Sequence, residues 1–287
     1  MKSTNLTIVM PTYNRADVLR ENVSSLLKSN YDFELLIIDD GSTDDTEEVV
    51  KTFQDRRITY IKHSTNAGYP RSLNEGIKHA KNPRVLVCED DVFILDPDEF
   101  FEVLISELGH KTIVATRRLE NGKEIKLTVI KKLKRFFSEL LAGEVYGYYG
   151  HKRRVIEFCN NCFAFNRDEL GTRFEESIYI GNVFRIESDF HVRARREGAT
   201  IIYNPRLLID HRRYRTGGLR LADYEEFLYQ CMVNHIAFLR RYYSNVKIYF
   251  YILFKLLAHP TKWFTIQKAL RASLRRSQME NRGSQHS

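Results

Sequence analysis

Three adjacent acidic residues, Glu89, Asp90 and Asp91, directly follow the apolar run of residues 84–88. Glu89 and Asp91 are two positions apart, so on an extended chain their side chains project to the same side. Two carboxylates that face together need a cation or a shared proton to offset their repulsion. A solvated acidic turn, with Asp91 capping a helix, is the alternative, because acidic turns commonly follow strands. The triplet alone leaves both interpretations open.

The elements that precede the triplet alternate apolar runs with amphipathic segments. Near-continuous apolar runs at residues 6–10 and 34–39 indicate strands buried on both faces. Residues 58–63 and 84–88 are predicted as the third and fourth strands. Ser42 with Asp45 predicts a capping box for the second helix. Asp96 as the cap and Pro97 at the first position predict the helix that follows the triplet. This alternation of strands and helices predicts a parallel α/β sheet.

The second half of the chain is less regular. Strands are predicted at residues 112–116 and 158–165, and two further short strands end at His211. A helix is predicted to begin near Glu187 and to end at Gly198. The pattern from Leu221 onward is helical. We expect a catalytic domain at 1–220, divided into halves 1–110 and 111–220, and a helical extension at 221–287.

Ligands of parallel α/β sheets bind at the carboxyl ends of the strands. The four predicted strand ends carry polar or turn-forming sequences: PTYNR (11–15), DDGS (39–42), NAGYP (66–70) and EDD (89–91). In this order they resemble the motifs of the inverting GT-A glycosyltransferases of family two, and the resemblance extends through His211. It implies a GT-A fold, which is a Rossmann-like, mostly parallel sheet flanked by helices.

The resemblance implies a nucleotide-sugar donor, most naturally a uridine diphosphate sugar. The residues that it implies around the nucleotide are Pro11, Thr12, Tyr13, Arg15, Asp40, Asn66, Gly68, Arg71 and Asp90. Asp40 is expected to accept a hydrogen bond from the base. Arg71 is included because Leu73 stands where the family has an arginine.

A divalent cation, Mn²⁺ or Mg²⁺, would neutralise the charge that develops on the departing diphosphate. The resemblance implies Asp91, Glu89 and His211 as its ligands. Glu89 replaces the usual aspartate, and its longer side chain can act through a metal-bound water. Hard cations of this kind prefer oxygen ligands.

An inverting transfer also needs a general base that takes the proton of the acceptor hydroxyl. The resemblance places the base in the sequence IESDF, at Glu187 or Asp189, and Asp189 is preferred. The structural alternative is that these acids cap the helix and pair with Arg193. The residues predicted for acceptor binding or for a mobile cationic lid are Asn160, Asn161, Arg212 and Arg215.

The net charge of +8 is concentrated near the end of the chain, because residues 246–287 hold eight Lys/Arg and one Glu. Residues 247–257 are aromatic and aliphatic, and residues 259–276 add a tryptophan and spaced cations. This pattern predicts helices that lie on a membrane surface. Docking on the catalytic domain or formation of a homodimer are the alternatives. No base-reading motif accompanies the cations, so nucleic acid is not predicted as a partner.

The N-terminal sequence, the apolar runs and the cysteines indicate in which compartment we expect the protein. The chain shows neither a secretory signal nor an uncharged apolar run of roughly 18 residues, so we expect a cytoplasmic protein that is peripheral on the cytoplasmic membrane face. Cys159 and Cys162 form a CxxC with no second pair, which favours buried reduced thiols over a metal site.

These features together predict an inverting glycosyltransferase that moves a sugar from a nucleotide-sugar donor to a glycan or lipid-linked acceptor. A sugar-phosphate nucleotidyltransferase would share the sheet and the acidic metal site, but it would release pyrophosphate. A non-catalytic membrane-binding scaffold is a second alternative, and the carboxylates in both halves of the chain argue against it.

Overall fold

The computed structural model describes residues 2–143, 150–159, 161–212, 214 and 223–283, with side chains as far as Ser273. The chain divides into two compact units. The first comprises Met1–Lys126, Gly147–Phe174 and Glu187–Gly218, and the second comprises Leu127–Tyr146, Glu175–Ile186 and Leu219–Ser287.

This division differs from the single boundary predicted at residue 220. Two internal segments, Leu127–Tyr146 and Glu175–Ile186, belong to the second unit together with the C-terminal helices. The first of them contains a helix that packs against a C-terminal helix. Contacts between segments that lie so far apart in the chain leave no local pattern in the sequence, and the prediction therefore missed them.

The first unit is built on one sheet, in which the described residues form ten strands in the order β3-β2-β1-β4-β9-β6-β10-β5, with β7 beside β6 and β8 beside β10. The strands are β1 (Lys2–Thr12), β2 (Tyr31–Asp39), β3 (Ile58–Lys62), β4 (Arg84–Val87), β5 (Val92–Ile94), β6 (Thr112–Glu120), β7 (Lys123–Glu124), β8 (Arg154–Ile156), β9 (Phe163–Asn166) and β10 (Thr200–His211). Strands β1 to β4 pair in parallel, as predicted. Strand β9 runs antiparallel between β4 and β6, so the sheet as a whole is mixed.

Strand β10 corrects one prediction. The two short strands expected to end at His211 are a single strand, whose pairing with β6 shifts between Tyr203 and Leu208. Pro205 lies within this shift, and a proline has no N–H to donate to a neighbouring strand. The proline therefore interrupts the pairing without ending the strand.

The helices in chain order are α1 (Ala16–Leu26), α2 (Thr46–Thr52), α3 (Tyr69–His79), α4 (Pro97–Glu107), α5 (Val129–Ala142), α6 (Ile186–Arg196), α7 (Tyr224–Tyr242), α8 (Asn245–Ala258) and α9 (Trp263–Gly283). A short 3₁₀ helix, Pro260–Lys262, precedes α9. Helix α4 has the predicted cap, because Asp96 accepts a hydrogen bond from the N–H of Glu99 at 3.1 Å. The capping box predicted for α2 is wrong, since that helix begins at Thr46 and the Ser42 hydroxyl accepts from the N–H of Asn14 instead.

Close packing of α3 on the sheet sets the position of its first residues. Gly76 faces β1, and a Cβ added there would lie 2.3 Å from Val9 Cγ1. Real carbon atoms cannot approach so closely, so the contact needs glycine. Leu73 and Ile77 on the same helix are fully buried. The N-terminus of α3 is thereby held beside the ends of β1 and β2.

The second unit is helical and has its own apolar core. The buried residues of this core come from four helices: Ala142, Leu228, Met232, Val233, Ile236, Leu239, Ile248, Tyr251, Ile266 and Ala269. Arg185 is buried in this unit and donates a hydrogen bond to Nδ1 of His235 at 2.9 Å. Among the described residues, no helix has both the length and the apolar character required to cross a bilayer.

Candidate functional site

Asp40, at the end of β2, ties three loops together. Its backbone N–H donates to the carbonyl of Thr12 at 2.9 Å. Its carboxylate accepts from the N–H groups of Ala67 and Gly68 at 2.7 and 3.0 Å, and Nδ1 of His63 lies 2.9 Å away. A carboxylate offers about four lone-pair sites, so described residues occupy three of them. One site on Oδ2 is left for a ligand, and the predicted contact with a base stays a prediction.

The neighbouring Asp39 is fully buried and has a different environment. It accepts hydrogen bonds from the N–H of Ser42 at 2.7 Å and from the hydroxyl of Tyr60 at 2.5 Å. Burial and this contact raise the pKa of Tyr60, so the phenol keeps its proton. Asp39 therefore stabilises the turn after β2 through its hydrogen bond with the N–H of Ser42.

Arg15 and the acidic triplet form a buried charge cluster. Arg15 NH1 lies 2.6 Å from Asp90 Oδ1 and 3.0 Å from Asp91 Oδ2. The hydroxyl of Thr12 donates to the other oxygen of Asp90 at 2.7 Å. Three residues predicted to contact the nucleotide, Thr12, Arg15 and Asp90, are thus joined to one another. In this structure they organise the turn between β4 and β5.

The turn itself is held by a residue that the sequence analysis did not single out. Asn22, on α1, is fully buried, and its Nδ2 donates to the carbonyls of Asp90 and Val92 at 2.8 and 2.9 Å. An amide on the apolar side of α1, between Leu19 and Val23, is a signal that could have identified it. Buried polar groups of this kind need partners, and here they position the triplet.

Glu89, Asp91 and His211 converge as predicted. One ligand atom from each lies within 4.8 Å of the others. His211 is at the end of β10, and its Nε2 lies 3.6 Å from Asp91 Oδ1. Its Nδ1 is buried without a hydrogen-bond partner among the described residues. Two carboxylates and an imidazole in this arrangement can hold a divalent cation.

The electrostatics of Glu89 fit this interpretation. Burial, together with the charges of Asp91 and Glu187, raises the pKa of Glu89 to about 7. Asn161 donates to Glu89 Oε2 at 2.5 Å. The side chain of Tyr69, at the start of α3, lies near the same carboxylate, and burial together with the charge of Glu89 raises the pKa of its phenol. A cation would relieve the repulsion that the raised pKa reports.

Two of these partners bear on the sequence predictions. Asn161, predicted to bind acceptor hydroxyls, contacts Glu89 in this structure, and its acceptor role stays a prediction. Tyr69 and His63 were not predicted. Tyr69 immediately precedes Pro70, which starts the helix, so its position at the site could have been inferred from the predicted strand end.

The two candidate bases on α6 have opposite environments. Asp189 is fully buried, and its Oδ2 pairs with Arg193 at 2.7 Å. Glu187 is half-buried, and its charge acts on Glu89, Tyr69 and Cys159. Residues two apart on a helix point about 200° apart, so only one of the pair can face the acidic cluster. In this structure that residue is Glu187, whereas Asp189 pairs with Arg193, as the structural alternative describes. The choice of base between the two acids stays a prediction.

The other predicted nucleotide residues line the same strand ends. Pro11 is buried at the end of β1, and Tyr13 is half-buried in the following loop. Gly68 has φ +96° and directly precedes α3, a conformation that side chains rarely adopt. Asn66 and Arg71 are exposed on either side of it. All of them lie at or after the carboxyl ends of the parallel strands β1 and β3.

The predicted cationic lid is only partly described. Arg212 is not free to swing: it pairs with Glu21, lies 3.3 Å from Asp210 Oδ2 and stacks over the ring of Phe93 at 3.8 Å. Arg215 and the other lid residues beyond Tyr214 lie outside the described residues. So does Asn160. Their predicted roles stay predictions.

Two cysteines border this region. Cys162, directly before β9, is fully buried. Cys159 Sγ lies 3.0 Å from Nε2 of the buried His191. Burial raises the pKa of Cys159 and lowers the pKa of His191 to about 3, so both groups are neutral.

The fold agrees with that of known sugar-transferring enzymes. Mannosyltransferase PcManGT from Pyrobaculum calidifontis, solved in complex with GDP-Man and Mn²⁺, superposes with a TM-score of 0.56 and 18% identity, over 94% of this chain and 75% of that one. TarS from S. aureus, in complex with UDP-GlcNAc, superposes with a TM-score of 0.59 and 16% identity, over 89% of this chain and 73% of that one. At such low identity the agreement establishes the fold, which is GT-A.

The sequence profile of Glycosyl transferase family 2 matches residues 7–170, more than half of the chain. The chain belongs to this family. An uncharacterized glycosyltransferase of Rickettsia conorii is 37% identical over 102 residues, which are 34% of this chain and 17% of the relative. Glycosyltransferase GlyG of Streptococcus pneumoniae is 29% identical over 109 residues, 37% of this chain and 36% of the relative. The matched part is 17% to 43% of the length of the first three curated relatives.

Proposed function

We propose that this protein is an inverting glycosyltransferase, which moves a sugar from a nucleotide-sugar donor to a hydroxyl group of a glycan or lipid-linked acceptor. One observation carries the proposal. The carboxylates of Glu89 and Asp91 and the imidazole of His211 converge within 4.8 Å at the end of the sheet where Glu187 also projects its charge. A cation site and a candidate base are therefore neighbours, which is what this transfer requires.

The donor would lie along the ends of β1, β2 and α3. Asp40 has an acceptor site left on Oδ2 that matches the imide N–H of uracil, which supports a uridine nucleotide. The solved relatives bind GDP-Man and UDP-GlcNAc, and both donors carry a diphosphate. The diphosphate would meet the acidic triplet, which is why a cation is needed between them.

Glu89, Asp91 and His211 would hold the divalent cation. Asp91 Oδ2 is bound by Arg15, so Oδ1, which faces His211, is the ligating oxygen. A nitrogen ligand in the set favours Mn²⁺ over Mg²⁺, because Mg²⁺ prefers oxygen. When bound, the cation supplies positive charge to the leaving diphosphate.

The chain's own residues would carry out the remaining steps. Glu187 would take the proton from the acceptor hydroxyl while that oxygen attacks the anomeric carbon. Asn161 holds Glu89 in place through its hydrogen bond, and Arg15 balances part of the charge of Asp90 and Asp91. Asp189 positions α6 through Arg193, and this keeps Glu187 aimed at the cluster.

The direct test measures the release of nucleoside diphosphate from a panel of UDP- and GDP-sugars, with Mn²⁺, with Mg²⁺ and with chelator. We expect activity with one donor, highest with Mn²⁺. Asp91→Ala should lower it by at least about 10²-fold, because a metal ligand is lost. Asp168→Ala is the matched control, since Asp168 is an exposed aspartate of the same unit, 68% exposed. Equal activity of both variants would contradict the metal assignment.

Analysis of the products separates this proposal from nucleotidyl transfer. A glycosyltransferase releases a nucleoside diphosphate, whereas a nucleotidyltransferase releases pyrophosphate, and phosphorus NMR distinguishes the two. The configuration of the transferred sugar, read from its anomeric proton coupling, should be opposite to that in the donor. Retention of configuration would refute the inverting mechanism.

A further inference from the structure

Helix α5 exposes its apolar face, whereas the helices of globular domains ordinarily bury this face. Six large apolar residues of this helix are between 45% and 80% exposed: Val129, Ile130, Leu133, Phe136, Phe137 and Leu140. At 100° per residue they occupy an arc of about 120°. An apolar stripe of this width ordinarily faces a protein core.

The polar side of α5 faces the protein instead. Ala142 is fully buried, and Arg135 and Ser138, at the same side of the helix, are half-buried. Helix α5 packs against α8, and Lys247 of α8 donates to the carbonyl of Glu139 at 3.3 Å. The orientation is therefore set by contacts within the second unit, and it turns the apolar side outward.

Helix α8 shows the same feature. Val246, Tyr249, Phe250, Leu253 and Leu257 recur at helical spacing and are between 36% and 73% exposed. Ile248 and Tyr251 on the other side are buried in the core of the unit. At the start of α9, Trp263 and Phe264 are also exposed, Phe264 by 83%. Exposed apolar surface on three neighbouring elements marks an interaction site.

The charges identify the partner. Helices α5 and α8 together hold six Lys/Arg and a single acidic residue, Glu139. Lys132 and Lys134 are exposed and border the apolar arc of α5 on its two sides. Two copies of such a surface would repel one another, which argues against a homodimer through it. An anionic phospholipid surface complements both its apolar and its basic parts.

We propose that α5, α8 and the Trp263–Phe264 pair form a membrane-docking surface that lies in the headgroup region of a bilayer containing anionic phospholipid. The sequence predicted membrane contact only for the C-terminal helices, and α5 adds the larger apolar face. Helix α8 has 14 residues, so it is about 21 Å long and can lie along the surface.

Flotation of the full-length protein with vesicles tests the proposal. Vesicles of phosphatidylcholine with phosphatidylglycerol should carry the protein upward, and pure phosphatidylcholine vesicles should carry much less. Leu133→Ser/Phe137→Ser should weaken partitioning about tenfold or more, because two apolar anchors are removed. Lys132→Gln/Lys134→Gln should weaken it by roughly 25-fold on anionic vesicles, since each lysine contributes about fivefold there.

Two matched controls change exposed residues of the first unit. Leu95→Ser/Val155→Ser removes exposed apolar residues, and Lys28→Gln/Lys78→Gln makes the same change in net charge. Both controls should float like the wild type. Failure of the wild type to bind anionic vesicles, or equal losses in controls and surface variants, would overturn the proposal. So would a dimer that Leu133→Ser/Phe137→Ser dissociates in analytical ultracentrifugation.

The lysine variant keeps the test decisive if the apolar variant does not fold, which circular dichroism would show. Release of nucleoside diphosphate by these variants in vesicle-free solution is a separate readout. It should stay at the wild-type level, because the surface is remote in sequence from the acidic cluster. Loss of flotation with retained turnover would therefore show that the variant impairs membrane binding and leaves the enzymatic activity intact.

Discussion

The two acids of α6 should separate catalysis from stability. Glu187→Gln removes the candidate base and keeps the size of the side chain. A positioned general base contributes about 10²–10⁴-fold to a rate. We expect turnover to fall by that factor while the melting temperature stays within about 1 °C of the wild type, because Glu187 is half-buried beside other acids and surface changes alter stability little.

Asp189→Asn should do the reverse. Asp189 is fully buried, and Arg193, its partner at 2.7 Å, keeps 23% of its side chain exposed. Breaking a fully buried pair costs about 3–5 kcal/mol. Because Arg193 is partly solvated and the amide can still accept one hydrogen bond, we expect roughly 2 kcal/mol. For a domain of roughly 150–250 residues this lowers the melting temperature by about 4–8 °C.

Turnover at saturating donor, donor affinity and thermal unfolding should be measured for both variants well below their melting temperatures. Donor affinity should be unchanged in each, since neither residue contacts the nucleotide. Severe loss of turnover in Asp189→Asn with normal turnover in Glu187→Gln would refute the assignment. It would show that the predicted preference for Asp189 was correct and that Asp189, not Glu187, faces the acidic cluster.

Three further outcomes follow from contacts described above. Asn22→Ala should lower the free energy of unfolding by about 1–3 kcal/mol, measured in urea, because it leaves two buried carbonyls without a donor; an unchanged midpoint would contradict this. Gly76→Ala should cost about 1–3 kcal/mol, because the new methyl group collides with Val9. The control Gly171→Ala should cost less, because its new methyl group lies 3.7 Å from Glu197 Oε2, an ordinary contact distance. Burial lowers the pKa of His63, but its contacts with Asp40 and Glu75 outweigh burial and raise it. The protonated His63 should therefore stabilise the fold fully below about pH 6.5, which is the ordinary pKa of histidine. This stabilisation should be lost as the pH rises through the raised pKa of His63 in the folded protein. In alkaline buffer the melting temperature of His63→Gln should therefore approach that of the wild type.

Local patterns sufficed for much of the first unit. The strands β1, β2 and β4 are largely buried, so their apolar runs were continuous and easily recognised, whereas β3 is half-buried and its run is interrupted by polar residues. The cap at Asp96 was equally evident, because a cap is formed by residues adjacent in sequence. The convergence of Glu89, Asp91 and His211 followed from the resemblance to the family, and the described geometry agrees with it.

Features that depend on distant contacts could not be predicted. The direction in which α6 presents Glu187 and Asp189 depends on where Arg193 finds a partner, and spacing alone fits either acid. The same holds for α5, whose amphipathic pattern predicts a helix but not which face the protein covers. The capping box at Ser42 failed because Asn14, from another loop, takes the serine hydroxyl.

The contact of Arg15 with Asp90 and Asp91 has a consequence for how an ion would behave. One guanidinium compensates part of a threefold negative charge, so the turn can fold and stay ordered without metal. The pKa values of Glu89 and Asp90, raised to about 7 and about 6 mainly by burial, show that the compensation is incomplete. A cation at this cluster would relieve the remaining repulsion, and a cation that arrives with a diphosphate would also bring its own counter-charge. The acidic turn would therefore be ordered before the cation and the donor bind.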